Sequence, residues 1–160
     1  MLFFLCDLFD EYGIPGSSYL YLVLLKMKAY MSDFIKPGTH NTPAIRLEAG
    51  KGLVEIRGSS IMEDTRKFYK PVIDWLKNYM EQPRDTTLHI EFSYFNTSTA
   101  RTLVGMLKML DPIKRAGCRL EINWYYPEDD KDIKETGMDF AAVTGLEFRY
   151  ISRPVENNGK

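Results

Sequence analysis

The sequence has few of the residues from which metal and nucleophile sites are built. Of its 160 residues, only two are cysteines and two are histidines. Cys6 and Cys118 are isolated and make no paired ligand spacing, so we expect neither a disulfide framework nor a zinc site, and a reducing, cytoplasmic location. His40 and His89 have no fixed spacing either. We therefore expect no metal, no cofactor and no histidine-activated nucleophile.

The chain also lacks a strong charge of one sign. Its formal net charge is −1, and lysine and arginine form no run of five or more. This leaves no electrostatic footprint for nucleic acid or for an anionic membrane. The longest apolar run of the first thirty residues, Tyr19–Leu25, is far shorter than the roughly 20 residues that span a bilayer. We therefore expect no nucleic-acid partner and no membrane insertion.

The first thirty residues differ in character from the rest of the chain. They are apolar, but acidic residues and Gly13–Gly16 interrupt them, and they lack the basic start and cleavage site of a signal peptide. They could be an amphipathic interface segment, or a non-native leader that arises from an upstream start codon. We favour the second, with Met31 as the true start. The prediction is a non-native or disordered leader at 1–30, a folded domain at 31–152 and a disordered tail at 153–160.

Alternation of apolar and polar residues and helical periodicity predict eight elements. In chain order they are a hairpin of strands at Ala44–Glu48 and Leu53–Arg57, a helix at Asp64–Met80, a strand at Leu88–Phe95, a helix from about Ala100 that ends at Gly117, a strand at Arg119–Tyr126, a helix at Asp129–Val143 and a strand at Leu146–Ile151. Pro71 lies within the first helix, so we expect either a kink in its first turns or a regular helix that starts near Pro71.

The element order β-β-α-β-α-β-α-β predicts an α/β fold. Strand–helix–strand crossovers are right-handed and make parallel neighbours. Each predicted strand alternates, whereas strands that are buried on both faces read as continuous apolar runs. We therefore expect a mostly parallel mixed sheet with three helices mainly on one face, a solvated opposite face of mixed charge, and an N-terminal antiparallel hairpin at one edge.

The densest polar cluster is Asn96, Thr97, Ser98 and Thr99, which lies between a strand and a helix. Such residues cap helices, and capping alone is one interpretation. The cluster also follows the carboxyl end of a predicted parallel strand, where open α/β sheets place their sites. Free amide groups and the positive end of the helix dipole favour a phosphate there. A hydroxyl in this turn is therefore a candidate for phosphorylation.

Aromatic residues accompany this cluster at the same predicted edge of the sheet. They are Tyr94, Phe95, Trp124, Tyr125 and Tyr126. Phe95 and Tyr125 are out of phase with the residues that face the helices, so we expect these two to form an exposed contact patch of the kind found at interfaces. Nearby, the acidic stretch from Glu128 to Asp132 could be drawn as a divalent-ion site, but we favour helix capping for it.

The sequence resembles the SiaC family of bacterial regulatory phosphoproteins, whose fold is similar to the STAS domains of anti-sigma-factor antagonists. The resemblance covers about Thr42 to Ile151. The motifs that carry it are Thr42-Pro43-Ala44-Ile45, Val72-Ile73-Asp74-Trp75, Tyr94-Phe95-Asn96-Thr97-Ser98 and Trp124-Tyr125-Tyr126. Phe95 and Thr99 stand where other members can have leucine and serine, so the acceptor is retained while the identity of the partner is open.

The resemblance implies that Thr97 is the phosphorylated residue of a partner-switching circuit. A serine/threonine kinase of the anti-sigma-factor type would add the phosphate, and a PP2C-type phosphatase would remove it. The unphosphorylated form would bind and regulate an effector such as a GGDEF diguanylate cyclase, and thereby cyclic-di-GMP synthesis and biofilm formation. The partner-binding residues would be Tyr94, Phe95, Asn96, Ser98, Thr99 and Tyr125, and the chain would not be an enzyme.

Two other functions remain open from the sequence. One is a small-molecule-binding α/β enzyme with its site at the strand carboxyl ends, which would use Ser98, Thr99 and the acidic loop. The sequence shows no base–nucleophile pair for such an enzyme. The other is an unmodified adaptor that binds through its aromatic patch. A phosphate on Thr97 of protein from cells would separate the switch from the adaptor.

Overall fold

A computed structural model describes residues 31–154 of the chain. The leader predicted at 1–30 and residues 155–160 of the predicted tail lie outside the described residues. The strands are β1 (Phe34–Lys36), β2 (Ala44–Glu48), β3 (Leu53–Ser60), β4 (Thr86–Phe95), β5 (Leu120–Pro127) and β6 (Phe148–Arg153). The α-helices are α1 (Thr65–Tyr79), α2 (Thr97–Lys108), α3 (Asp111–Arg115) and α4 (Lys131–Thr144), and a 3-10 turn spans Ala49–Lys51.

The six strands form one mixed sheet in which spatial order follows chain order. β1, β2 and β3 pair antiparallel, whereas β3, β4, β5 and β6 pair parallel. Right-handed crossovers that all advance in the same direction place their helices on one face of the sheet. α1 accordingly packs on α2, and α2 on α4. The predicted fold class is confirmed: a mostly parallel α/β sheet with an N-terminal antiparallel hairpin and the three long helices on one side.

The core lies between the sheet and the three long helices. Every second residue of β4 is buried from Leu88 to Phe92, as the period of two predicted. The helices bury a matching stripe against it, which comprises Tyr69, Val72, Leu76, Leu103 and Leu107. Full burial of each such aliphatic or aromatic side chain contributes about 1.5–3 kcal/mol. This shared apolar layer determines which face of the sheet the helices cover.

The first long helix, α1, begins at Thr65. The Asp64 side chain accepts a hydrogen bond from the Lys67 amide at 3.0 Å and caps the helix there. The helix continues through Pro71, so the alternative in which it starts near Pro71 is wrong. Pro71 removes only one backbone hydrogen bond, and the cap and the buried stripe of the helix offset that loss.

The second predicted helix is divided in two by the structure. α2 ends at Lys108, and the single-turn α3 begins at Asp111. Pro112 lies in the first turn of α3 and has no amide proton to donate to the Lys108 carbonyl, so one continuous helix is disfavoured. Gly117 follows α3 with a φ of 75°, and its amide donates to the Lys114 carbonyl at 3.0 Å. Gly117 therefore ends the helical segment as predicted.

Both edges of the sheet extend beyond the sequence-based prediction. The sequence did not predict β1, because three residues are too few to show an alternating pattern. The Trp75 indole donates to the Ser32 carbonyl at 2.9 Å and so holds the residues that lead into β1. β6 continues to Arg153, which pairs with Pro127 of β5. Arg153, which was predicted to belong to the disordered tail, is therefore the last residue of β6.

A close contact between α4 and β5 depends on a glycine. A Cβ atom placed on Gly137 would lie 2.7 Å from Nε1 of Trp124, and the Trp124 ring is fully buried. The indole donates to the Ile133 carbonyl at 3.0 Å, so the ring cannot move aside without losing that bond. Gly137 is therefore required by space rather than by backbone conformation.

We predict that Gly137→Ala lowers the free energy of unfolding by about 1–3 kcal/mol, because overpacking outweighs the better helix propensity of alanine. Urea denaturation followed by circular dichroism measures this. The control is Gly105→Ala in α2, where a Cβ would meet nothing within 4 Å. That variant should gain up to about 1 kcal/mol. Equal behaviour of the two variants would contradict the prediction.

Candidate functional site

The end of β4 contains a bulge that sets the orientation of the residues before the polar turn. Phe92 pairs with Gly58 and Tyr94 with Ser59, so Ser93 is an extra residue without a partner in β3. Gly58 has a φ of 106°, a conformation that favours glycine. The Ser59 and Ser93 hydroxyls hydrogen-bond at 2.9 Å across the bulge. The extra residue reverses the alternation, which turns Tyr94 outward and Phe95 toward the helices.

Asn96 is the N-cap of α2 and fastens the turn to β3. Its Oδ1 accepts from the Thr99 amide at 2.9 Å, and its Nδ2 donates to the Met62 carbonyl at 3.2 Å. Its amide donates to the Ser60 carbonyl at 3.1 Å. The half-buried Asn96 thus has a structural role as helix cap, while its predicted place in a partner contact stays a prediction.

Thr99 lies beneath the turn in a buried chain of hydroxyl groups. It is 0% exposed, and its hydroxyl donates to the Ser60 carbonyl at 3.1 Å. Having donated its only proton, it accepts from the Ser60 hydroxyl at 2.8 Å, which in turn accepts from the Tyr69 hydroxyl at 3.0 Å. Burial raises the pKa of Tyr69 to about 12, which keeps the phenol neutral and able to donate. Partner contact through Thr99 stays a prediction, and the full burial of the side chain argues against it.

Thr97 and Ser98 are the two exposed hydroxyl residues of the turn. They occupy the first two positions of α2, directly after the cap. At these positions the free amide groups and the positive end of the helix dipole would stabilise a negative charge on either side chain. Of the three candidate hydroxyls in the cluster, the structure therefore leaves two open to a modifying enzyme and closes the third.

The aromatic residues of this region divide between two faces of the sheet. Tyr94 is 61% exposed and lies beside the turn, together with Ile61, which is 38% exposed. Phe95 is half-buried against Phe92 and Phe140, with ring centroids at 5.1 Å and 6.2 Å. The expectation that Phe95 belongs to an exposed patch is wrong, because the Ser93 bulge reverses its direction. Ile61 was missed, since it follows the predicted strand without any periodic signal.

Tyr125 lies on the helix-free face and is only 7% exposed. Its hydroxyl shares a hydrogen bond with His89 Nδ1 at 2.9 Å. The guanidinium carbons of Arg57 and Arg153 lie 5.9 Å and 4.5 Å from its ring centroid. The prediction of an exposed Tyr125 next to the turn is therefore wrong. Neighbouring arginines cover a ring that sequence periodicity alone places in solvent.

The acidic stretch before α4 is a capping segment in the structure. Asp130 is the N-cap, and its side chain accepts from the Ile133 amide at 3.0 Å. Within residues 31–154, no three histidine, cysteine or acidic side chains come together in a way that could hold a metal ion. The same part of the chain contains no helix that is long and apolar enough to cross a membrane.

The fold and the site define a small α/β domain with an exposed threonine at a capped helix start, and a fold of this kind is compatible with more than one function. Comparison with known proteins makes this specific: the model of the SiaC family regulatory phosphoproteins matches residues 36–153. The chain belongs to this family.

Solved structures agree with this assignment. The structure of apo-SiaC from Pseudomonas aeruginosa has a TM-score of 0.68 and 27% identity, and the match covers 76% of this chain and 99% of that one. One chain of the crystal structure of the diguanylate cyclase SiaD in complex with its activator SiaC, from the same organism, has the same fold, with a TM-score of 0.70 and 24% identity over 76% of this chain and 100% of that one. An uncharacterized protein of P. aeruginosa strain UCBPP-PA14 is 28% identical over 119 residues, 74% of this chain and 94% of that protein.

We predict that Thr99→Val destabilises the protein by about 1–3 kcal/mol, because it removes the two buried hydrogen bonds that join Thr99 to Ser60. Thermal or urea unfolding measures the change. Thr102→Val is the matched control, since the Thr102 hydroxyl bonds only to the Ser98 carbonyl one turn back at the surface. It should change stability by less than about 0.5 kcal/mol. A Thr99→Val protein as stable as the control would show that the hydroxyl chain contributes nothing.

Proposed function

We propose that Thr97 is the phosphoacceptor of this regulatory phosphoprotein, and that its unphosphorylated form binds and activates a GGDEF diguanylate cyclase. The observation that carries the proposal is the exposure of Thr97 on a turn whose neighbours, Asn96 and Thr99, are locked into the fold. SiaC, to which the chain is similar, is described as the activator of the diguanylate cyclase SiaD. The chain would regulate cyclic-di-GMP synthesis in the same way.

The geometry of the turn supports Thr97 as a site that can be modified without unfolding. A phosphate adds a charge of about −1.5 to −2 at pH 7. At the first position of α2 the helix dipole favours that charge. The Asn96 cap and the buried Thr99 hydroxyl remain in place, because neither depends on the Thr97 side chain. The fold should therefore be the same in both phosphorylation states, and the signal lies in the surface charge.

The docking surface that we assign to the effector comprises Ile61, Tyr94, Thr97 and Ser98. Ile61 and Tyr94 are the large exposed apolar residues next to the turn, and exposed tyrosine is a common anchor of interfaces. Phosphorylation of Thr97 would place a dianion in this contact. Because removal of that charge from water is costly unless a basic group meets it, binding of the effector would be lost.

Two enzymes complete the proposed circuit. A serine/threonine kinase of the anti-sigma-factor type would phosphorylate Thr97, and a PP2C-type phosphatase would reverse the reaction in the cytoplasm. The exposed turn admits both, whereas Thr99 is closed to them. The chain itself would act by binding. Its described histidine on the sheet, His89, bonds to Tyr125 on the face away from the turn and activates no hydroxyl of the cluster.

The first prediction concerns the switch. Phosphosite mapping by mass spectrometry of protein from its own cells should find phosphate on Thr97 and none on the buried Thr99.

The binding of the variants gives a separate test. The affinity of Thr97→Ala for the diguanylate cyclase encoded in the same genome should lie within about threefold of that of the unmodified chain, whereas the affinity of Thr97→Asp should be at least about tenfold weaker. The control is Asn78→Asp, which adds the same charge at the opposite end of the sheet on the exposed end of α1. Equal binding by both Thr97 variants would refute the switch.

The second prediction concerns the docking surface. Tyr94→Ala should weaken effector binding by about tenfold or more, as expected for a tyrosine anchor. Its thermal stability should change little, because the side chain is exposed. Met138→Ala is the control, since Met138 is a large exposed apolar residue on α4 and is not part of the docking surface. Calorimetric titration of each variant with the effector gives the answer, and equal losses would show that Tyr94 has no special role.

A further inference from the structure

A pocket of about 190 Å³ opens on the helix-free side of the sheet, at the carboxyl ends of β3 to β6. Arg57, Glu91, Tyr125 and Arg153 contribute its charged and aromatic lining. None of these residues belongs to the docking surface that we assign to the effector. The pocket therefore requires an explanation of its own.

The pocket exists because two parallel strands separate. The pairing of β4 with β5 ends at Glu91 and Tyr125, whereas β5 stays paired with β6 as far as Pro127 and Arg153. The bulge at Ser93 turns the end of β4 away from β5. Ligands of open α/β sheets bind outside the carboxyl ends of the strands, in crevices of this kind.

The two arginines that line the pocket differ in their ion pairs. The lining contains two arginines, Arg57 and Arg153, and one carboxylate, Glu91, which lies 3.3 Å from the Arg57 guanidinium; Arg57 also pairs with Glu55 outside the lining. Arg153 has no carboxylate within 4 Å among residues 31–154. Its guanidinium lies 4.5 Å from the Tyr125 ring centroid, and its side chain is exposed. The unmatched group of the pocket is therefore a positive one.

The Tyr125 ring, on which the Arg153 guanidinium rests, is fixed in position. Tyr125 is almost fully buried, and its hydroxyl bonds to His89 Nδ1 at 2.9 Å. A guanidinium that rests on an aromatic face keeps its N–H edge free for a planar anion and loses less freedom on binding. Carboxylates and phosphates match that edge with two parallel hydrogen bonds.

We propose that this pocket binds a small organic anion, a carboxylate or a phosphate monoester, through Arg153, with the apolar part of the ligand against the apolar part of the lining. The volume admits a group of the size of a single ring and is below the range of pockets for drug-sized ligands, roughly 300–1,000 Å³. A cation is disfavoured, because the one carboxylate of the lining is paired with Arg57. The site would give the protein a second input that does not depend on Thr97.

Benzoate and phenyl phosphate serve as probes in amide-detected NMR titrations of the full chain, with benzamide as the neutral analogue of benzoate. We expect saturable shifts around Tyr125 and Arg153 with at least one of the two anions and none with benzamide. The two anions together distinguish a carboxylate ligand from a phosphate ligand. Arg153→Gln should weaken the binding of the anion by about tenfold or more.

Arg149→Gln is the matched control. Arg149 lies on β6 like Arg153, but it pairs with Glu121 at 2.9 Å and does not line the pocket. This variant should bind the anion as tightly as the unchanged chain. The proposal is overturned if neither anion gives saturable shifts, if benzamide binds as well as benzoate, or if Arg149→Gln loses as much affinity as Arg153→Gln.

Discussion

The hydrogen bonds between Ser60 and Thr99 join the end of β3 to the start of α2, and the turn that contains Thr97 depends on them. The two residues are fully buried and share two hydrogen bonds, while Tyr69 of α1 completes the hydroxyl chain. A strand and two helices thus meet beneath a turn of four residues. Because the turn is held from below through Asn96 and Thr99, its backbone does not depend on the exposed Thr97 side chain.

The bulge at Ser93 has consequences on both sides of the sheet. On the helix side it sends Phe95 into the aromatic cluster around Phe140, and at the edge it turns Tyr94 outward beside the turn. It also parts β4 from β5 beyond Tyr125, which opens the arginine-lined pocket. One extra residue therefore shapes both the docking surface assigned to the effector and the pocket assigned to an anion.

The one-sided architecture leaves a face on which side chains pair with each other instead of with helices. Glu121 pairs with Arg149, and Glu55 and Glu91 pair with Arg57. Such pairs at a surface contribute little to stability, with a median of about 0–1 kcal/mol. Near the pocket, Glu55 and Glu91 both pair with Arg57, whereas Arg153 takes part in no ion pair among residues 31–154. The same charges, read from the sequence, indicated only a solvated face of mixed sign.

The sequence by itself determined the fold class, the hairpin, the helix caps and the turn that contains Thr97, because alternation, helical periodicity and capping are local. It also indicated the family, through short motifs in a characteristic order. Tertiary structure alone decided which aromatic residues are exposed, since a bulge in β4 reverses an alternation that looks uniform in the sequence. It likewise decided which hydroxyl of the turn is buried. Both depend on register against β3, and pairing between distant strands leaves no local pattern in the sequence.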